Sequence, residues 1–468
     1  KRQVLWPDGK FQEFSNVKSN QTLSVAHENA KVTAPSQLSF PLVPKETKPI
    51  FKEVSSELGL DFVHREHDII DYNVQRVLPH KLSQNGPCIT VGDLNQDGFE
   101  DFIVGSSAKY SPMVFLQKED GTFTQKPMFT KEIDKQYEEE GMVLFDLEND
   151  GDLDLYLVSG SNEFEKGSDQ YMDRLLVNDG AANFTLAPEK MPAINTSGSV
   201  VKAHDFDQDG FVDLFVGGRT PIGQYPIPEK SFLLKNSKGV LEDVTGKMAP
   251  NLSSIGMVTD ALWVDMDSDG LSDLAIVGEL MPITILKNQQ TSFSELKATA
   301  LDSVFGWWES IVAEDFDLDG DYDLIVGNLG SNNFYQPSKE RPVTLLWKDF
   351  DDNGSIDPVM FAHFKKDRDQ YESFPVNFWG DLIGQSPLFR SKFELFGDYA
   401  KTTQDGLFTP EELKGAKRLI GNYDKSSYIE NLGGGKFQAF ALPLEAQLGP
   451  INDMLTTDFN EDGNPDLL

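Results

Sequence analysis

The chain has 468 residues, 39% hydrophobic and 11% aromatic, enough to bury a substantial core and too apolar for wholesale disorder. Acidic residues number 76 against 41 basic ones, and the net charge of −35 argues against a phosphate backbone as partner, since that is bound by basic stripes. A single cysteine, Cys88, excludes a disulfide framework within the chain, and no run approaches the roughly 18 apolar residues of a membrane span.

In chain order, residues 1–27 read as a small β module, with "LWPDGKFQEF" alternating about a Pro-Asp-Gly turn and "NQTLSV" following it. Residues 28–49 read as a linker. Both ends look like cuts: the chain begins "KRQVLW" without Met and finishes "GNPDLL" within a strand-like run, so a removed export signal is compatible with it. Cys88, in "NGPCITVGD", reads as a small buried hydrophobe in a strand, with no basic neighbour in sequence to activate it.

From residue 93 onward a pattern D-x-[D/N/E]-x-[D/N]-G-x-x-D recurs seven times. Its positions 1, 3, 5 and 9 are Asp93, Asn95, Asp97 and Asp101 in the first copy, and Asp146, Glu148, Asp150 and Asp154 in the second. Asp205, Asp207, Asp209 and Asp213 form the third, and Asp265, Asp267, Asp269 and Asp273 the fourth. Asp315, Asp317, Asp319 and Asp323 make the fifth, and Asp349, Asp351, Asn353 and Asp357 the sixth. Asp458, Asn460, Asp462 and Asp466 make the seventh.

Like charges at this density repel one another, so a cation is expected among them. A hard ion such as Ca²⁺ takes six to eight oxygens, and a tight turn with Gly at position 6 aims three side chains and one carbonyl inward. An EF-hand loop begins the same way but needs an acidic ligand at position 12. Position 12 here is Val104, Leu157, Val216, Ile276, Val326 and Met360, with the last copy cut short, so the loop closes at position 9 and enters a strand. Position 2 is always apolar and anchors the loop to the core; Glu148 crowds the second site and Pro465 precedes the last ligand.

Short apolar runs flank each loop ("GMVLFD" before, "DLYLVSG" after), and a further Gly-turned hairpin follows, as in "LLVNDGAANFTLA". This gives about four antiparallel strands per repeat of roughly 50 to 60 residues, a propeller-blade period. The fold class expected is therefore all-β, a β-propeller of seven blades with ion-binding hairpins. Between the sixth and seventh loops, around 376–422, the pattern turns helical: Ser386-Pro387 and the Thr409-Pro410-Glu412 capping box predict helix starts within the sixth blade. That insertion reads as a lid over apolar blade surface or as a partner-binding element.

Over residues 50–468 these loops and strands resemble the FG-GAP/VCBS repeat family, the blades of integrin α-subunit propellers and of many secreted bacterial proteins. "FVGG" and "IVGN" stand where the integrin version has its Phe-Gly and Gly-Ala-Pro signatures, so an integrin-type ligand surface is not implied. Residues 1–27 resemble the end of an ASPIC/UnbV domain, which accompanies such propellers in cartilage acidic protein and bacterial surface proteins. The resemblance implies several structural Ca²⁺ ions, a location outside the cell, at a bacterial surface or in the periplasm, and a place in a longer multi-unit chain. The function it implies is a non-enzymatic binding or adhesion scaffold for a protein or glycan.

Two features outside the loops are candidate ligand sites. His64, Glu66, His67, Asp71, Arg76 and His80 form a titratable cluster that reads as a hydrogen-bonded closure segment or as a site near the channel, and "FKEV" at 51–54 resembles an outermost blade strand. Trp307 and Trp308 read as core, or as a stacking platform in which alternation frees at most one ring. If the His64–His80 segment were catalytic, a polysaccharide lyase or hydrolase would be the alternative; a structural spacer is the third reading. No nucleophile–base–orienter spacing is present in it.

Overall fold

The computed structural model describes residues 2–6, 10–18, 22–31, 51–297, 300–367 and 370–468, in two compact units, Lys1–Val54 and Ser55–Leu468. The first unit holds an antiparallel hairpin, Arg2–Leu5 with Phe11–Phe14, as alternation predicts. Most of the expected linker and the Pro-Asp-Gly turn lie outside the described residues.

The second unit is built from four-stranded antiparallel sheets whose strands, in the first four sheets, follow one another in chain order. Sheet one is Ile89–Gly92, Asp101–Val104, Met113–Gln117 and Phe123–Pro127. Sheet two is Glu139–Phe145, Asp154–Ser159, Arg174–Asn178 and Phe184–Leu186. Sheet three is Gly198–His204, Asp213–Gly218, Phe232–Asn236 and Leu241–Asp243. Sheet four is Met257–Val264, Asp273–Pro282, Thr284–Asn288 and Phe293–Glu295, with Phe305–Trp307 paired to its long second strand.

The second strand of each sheet is apolar without interruption because both of its faces are covered. Leu155 and Leu157 pack toward sheet one, while the alternating Tyr156 and Val158 pack toward sheet three. Leu214 and Val216 face sheet two and Phe215 faces sheet four; Leu274 and Ile276 face sheet three, and Ala275 and Val277 face sheet five. Each such side chain contributes about 1.5–3 kcal/mol by leaving water. The period-2 geometry thus glues neighbouring sheets face to face.

Sheet five departs from the expected order. Its strands are Ser310–Glu314, Asp323–Gly327, Ser427–Asn431 and Phe437–Ala441, so about a hundred residues intervene between its second and third strands. That splice contains a complete sheet of its own: Val343–Trp347, Val359–Asp367, Gln370–Pro375 and Lys417–Gly421. The short helices Trp379–Gln385, Leu388–Ser391, Phe396–Tyr399 and Gln404–Leu407 lie within it, inside the range read as helical. The sixth acidic loop therefore belongs to an inserted sheet, and counting loops does not count blades. The last hairpin, Thr456–Thr457 with Asp466–Leu467, carries the seventh loop.

Four smaller expectations are corrected. Thr409 and Glu412 do form the reciprocal box, at 2.7 and 3.3 Å through their backbone N–H groups, but only turns follow it. Ser386 does not cap a helix; its hydroxyl donates to Asp351 at 2.8 Å. Residues 51–54 form no strand. Cys88 sits half-buried just before the first strand, where its thiol donates to the Glu139 carbonyl at 3.1 Å, and burial pushes its pKa well up.

Candidate functional site

All seven acidic hairpins adopt one backbone. Position 4 is left-handed (φ from 56° at Asp352 to 60° at Leu318 and Glu461), and the position-6 glycine is too (φ from 85° at Gly98 to 101° at Gly320). The first Asp receives the N–H groups of positions 5 and 6, as in Asp209 and Gly210 onto Asp205 at 3.1 and 2.8 Å. The same pair recurs on Asp93, Asp146, Asp265, Asp315, Asp349 and Asp458. These bonds tie the turn together through its own backbone.

The position-9 carboxylate does a second structural task. Asp213 receives the N–H of Phe206 at 3.2 Å on one oxygen and that of Asn236, at the end of the third strand, at 2.7 Å on the other. Asp101, Asp154 and Asp273 repeat the arrangement; Asp323 receives Asn431 N–H and the Tyr428 hydroxyl instead, and Asp357 and Asp466 keep the position-2 bond. Burial raises the pKa of Asp213 to about 7 and those of Asp273 and Asp357 to about 6.

Four loops already bring three carboxylates together, with ligand oxygens within 4.8 Å of one another. They are Asp205/Asp207/Asp213, Asp265/Asp267/Asp269, Asp315/Asp317/Asp319 and Asp349/Asp351/Asp357. One buried oxygen on each of Asp207, Asp267, Asp351 and Asp357 has no hydrogen-bond partner among the described residues, so the donor set fits a hard cation. Two lysines press on these sets: Lys235 pairs with Asp207 and Asp209, and Lys287 with Asp267 and Asp269. Glu148 is engaged by Lys190. Asp152 and Asp321, at position 7, also turn a buried unpartnered oxygen inward; the pattern had assigned that position only a carbonyl.

The loops are wired to one another, which the motif alone did not reveal. Position 4 of one loop donates to the glycine or position-6 carbonyl of the next: Gln96 to Gly151 at 3.1 Å, Asn149 to Gly210 at 2.7 Å, Gln208 to Gly270 at 2.9 Å. A buried Asn ending the third strand of sheets two to five reaches back to position 2 of an earlier loop. Asn178 meets Leu94, Asn236 meets Leu147, Asn288 meets Phe206 and Asn431 meets Met266, at 2.7–3.0 Å. The recurring Asn in "LLVND", "LLKNS", "ILKNQ" and "YIENL" was the available signal.

The innermost strands stand side by side in chain order and line a cavity of about 520 Å³. Six residues before each loop except that of the inserted sheet, Pro87, Glu140, Ser199, Thr259, Glu309 and Asn452 all border it. Ser199 and Thr259 staple their strand to the next one, donating to the carbonyls of Val258 at 2.8 Å and Trp308 at 2.9 Å. Glu309 is pushed to about 7 by burial and by Glu279, against the pull of Arg219.

The His64–His80 segment is a strap across these sheets. His67 N–H donates to Ser107 Oγ of sheet one and its Nδ1 lies 2.8 Å from Glu163 beside sheet two. Gln75 makes a two-way pair with the Tyr225 backbone near sheet three, and His80 lies 2.9 Å from Glu279 on sheet four. Arg76 packs over Gly384 of the inserted helices, and buried Asp71 receives Leu82 N–H and Ser83 Oγ. Glu279 also takes Arg219 at 2.5 Å and the Tyr225 hydroxyl at 3.0 Å. Burial alone would lower the His80 pKa, but the Glu279 carboxylate raises it to about 9. His64 pairs with Glu66 at 2.5 Å.

Neither tryptophan is free to stack on a ligand. Trp308 is buried between sheets four and five with Nε1 donating to Met281 O at 2.9 Å; Trp307 is buried too, stacked on Tyr335 and pressed on Gly421. Alternation placed the rings on opposite faces, and both faces are covered.

Comparison with family models matches residues 93–157, 146–216 and 265–326 to the FG-GAP-like repeat. No curated protein matches the chain. Among solved structures, "Structure of Dos1 propeller" aligns at 10% identity and TM-score 0.32, over 52% of this chain and 53% of that one. The V. cholerae biofilm matrix protein Bap1 aligns at 11% identity and TM-score 0.28, over 76% of this chain and 65% of that one. This chain thus spans about half of the first and somewhat under two thirds of the second.

Proposed function

We propose that this propeller-like FG-GAP repeat protein is a calcium-stabilised scaffold that works outside the cell and presents loops to a protein or glycan partner. The observation that carries the reading is the set of hairpins whose carboxylates converge with oxygens left over for a cation. Asp or Asn at positions 1, 3 and 5, the position-7 carbonyl and the position-9 Asp would hold each ion. Bound Ca²⁺ offsets the mutual repulsion of the loop acids and fixes the hairpin at the root of its sheet. Sites of millimolar strength, which saturate only outside cells, suffice for that role.

Six inner-strand hairpins bordering one cavity support a wheel in which those hairpins are the sectors, with the inserted sheet standing outside the count. On this reading the wheel has six sectors where the loop count predicts seven blades. The enzyme alternative draws no support from His64 and His80, since His64 is taken up by Glu66 within the strap and His80 by Glu279 on sheet four. The N-terminal hairpin is compatible with the resemblance of residues 1–27 to an ASPIC/UnbV end, and on that reading the chain is part of a larger surface protein.

The test is a screen of glycan and protein arrays with the 468-residue chain in Ca²⁺ and again in EDTA. Ligand capture that needs Ca²⁺, without turnover, supports the scaffold. Turnover of a captured glycan establishes the enzyme, and no capture under either condition favours the spacer.

A further inference from the structure

Four glutamates that belong to no hairpin gather at the head of sheet two beside the strap, next to the cavity that Glu140 borders. Glu138 and Glu140 flank the start of the first strand of sheet two, where Glu140 is the extra residue of a β-bulge. Glu163 follows the second strand of that sheet, and Glu66 comes from the strap. Glu139, between the first two, turns away and is fully used by Arg174 and by Ser106.

The others are not satisfied. Glu138 is 2% exposed and Asn162 1% exposed, yet neither carboxylate oxygen of Glu138 and neither amide atom of Asn162 has a partner of full hydrogen-bond geometry among the described residues; the Ser161 hydroxyl, equally unpartnered, stands beside Glu138. The same holds for Glu66 Oε2, Glu140 Oε1 and Glu163 Oε1, so six buried oxygens stand idle in one neighbourhood. An unpaired buried carboxylate costs several kcal/mol, and natural folds meet that cost by pairing it or by metal coordination. The nearby basic side chains already face other carboxylates: His64 faces Glu66, His67 faces Glu163, and Arg219, which also pulls on Glu140, pairs with Glu279. Burial, with Glu140, Glu163 and Glu66 nearby, raises Glu138 to about 10; burial also raises Glu140 to about 8 although Arg219 opposes it.

The repeat itself marks Glu140 as unusual. At the equivalent bulge, Ser199 and Thr259 spend their hydroxyls stapling adjacent strands. Glu140 makes no such staple: its Oε1 has no hydrogen-bond partner among the described residues.

We propose that Glu66, Glu138, Glu140, Asn162 and Glu163 form a site for one hard divalent cation at the strap end of the channel, separate from the hairpin loops. Six oxygen ligands, with no imidazole or thiolate in the set, select calcium-like ions over zinc. The ligand atoms that already lie within 4.8 Å of one another are all in hairpins, so this wider set closes on its ion by turning the long Glu arms. Bound there, the ion clips the strap to sheet two.

Crystals of the whole chain grown with Mn²⁺ and measured at an anomalous wavelength test the site directly. A peak bounded by Glu138, Glu140 and Glu163 is expected, and it should vanish in the isosteric double variant Glu138→Gln/Glu140→Gln while any hairpin peaks persist. A channel peak with empty hairpins supports this site and removes the loop reading; filled hairpins with no channel peak overturn this site alone.

Discussion

The acidic loop of sheet three and that of the inserted sheet share a sequence pattern and a backbone, yet they are held in different ways. The loop at Asp205 is tied to both neighbours: Asn149 reaches it from sheet two, Gln208 reaches the loop of sheet four, and Asn288 grips its position-2 carbonyl. The loop at Asp349 has its own turn bonds and one side-chain link, to Ser386 in the following helices. The lesson is that the acidic motif forms the turn, whereas the third-strand Asn and the position-4 side chain build the turns into a row. Repeats in a row gain stability from their interfaces, and an isolated copy does not.

Chelation gives the largest expected contrast. Moving the chain from Ca²⁺ into EDTA should lower its melting temperature strongly, with Ca²⁺ restoring it better than Mg²⁺, because Mg²⁺ demands a tighter six-coordinate shell. The wired row should respond as one cooperative transition in calorimetry; separate transitions for sheets one to four would break the comparison.

Asn236→Ala comes next. It removes the donor to Leu147 O and the acceptor of Gly239 N–H inside a buried site, so it should cost about 2 kcal/mol in urea unfolding. Asn353→Ala, in the exposed inserted loop, should cost under about 0.5 kcal/mol when both are measured without divalent ions. Equal costs would mean that the wiring carries no energy.

Leu318 fills position 4 of the fifth loop in a left-handed conformation and makes no link onward. Leu318→Asn should therefore raise stability by about 1 kcal/mol, because Asn tolerates that backbone and Leu does not. A loss on the same urea curve would contradict the left-handed assignment.

The smallest effect concerns the strap. The His80 pKa is raised from 6.5 to about 9 in the fold, so its contribution is complete below pH 6.5 and disappears as pH climbs through 9. His80→Gln should flatten that part of the stability profile and leave lower pH slopes intact. An unchanged slope between those limits would detach His80 from Glu279.

Much of the fold was legible because its signals are local. Each loop announces its own turn, and each uninterrupted apolar run such as "DLYLVSG" announces a strand covered on both faces. Pairing over long distances is different: nothing near Gly327 says that its sheet resumes at Ser427, since the intervening strands have the same period. Position 4 was missed because Gln96, Gln208 and Leu318 carry none of the usual left-handed signature, and only Asn149 hinted at it. The tryptophans were misplaced as candidates because alternation tells which way a ring points and not whether that side is covered.

Direct counting of bound ions by calorimetric titration of EDTA-stripped protein with Ca²⁺ is the decisive measurement. The account predicts several ions per chain, with stoichiometry falling by one when Asp205 and Asp207 are replaced by Ala and the remaining loops left intact. Binding of no calcium by a folded chain, or a count indifferent to those replacements, would contradict it.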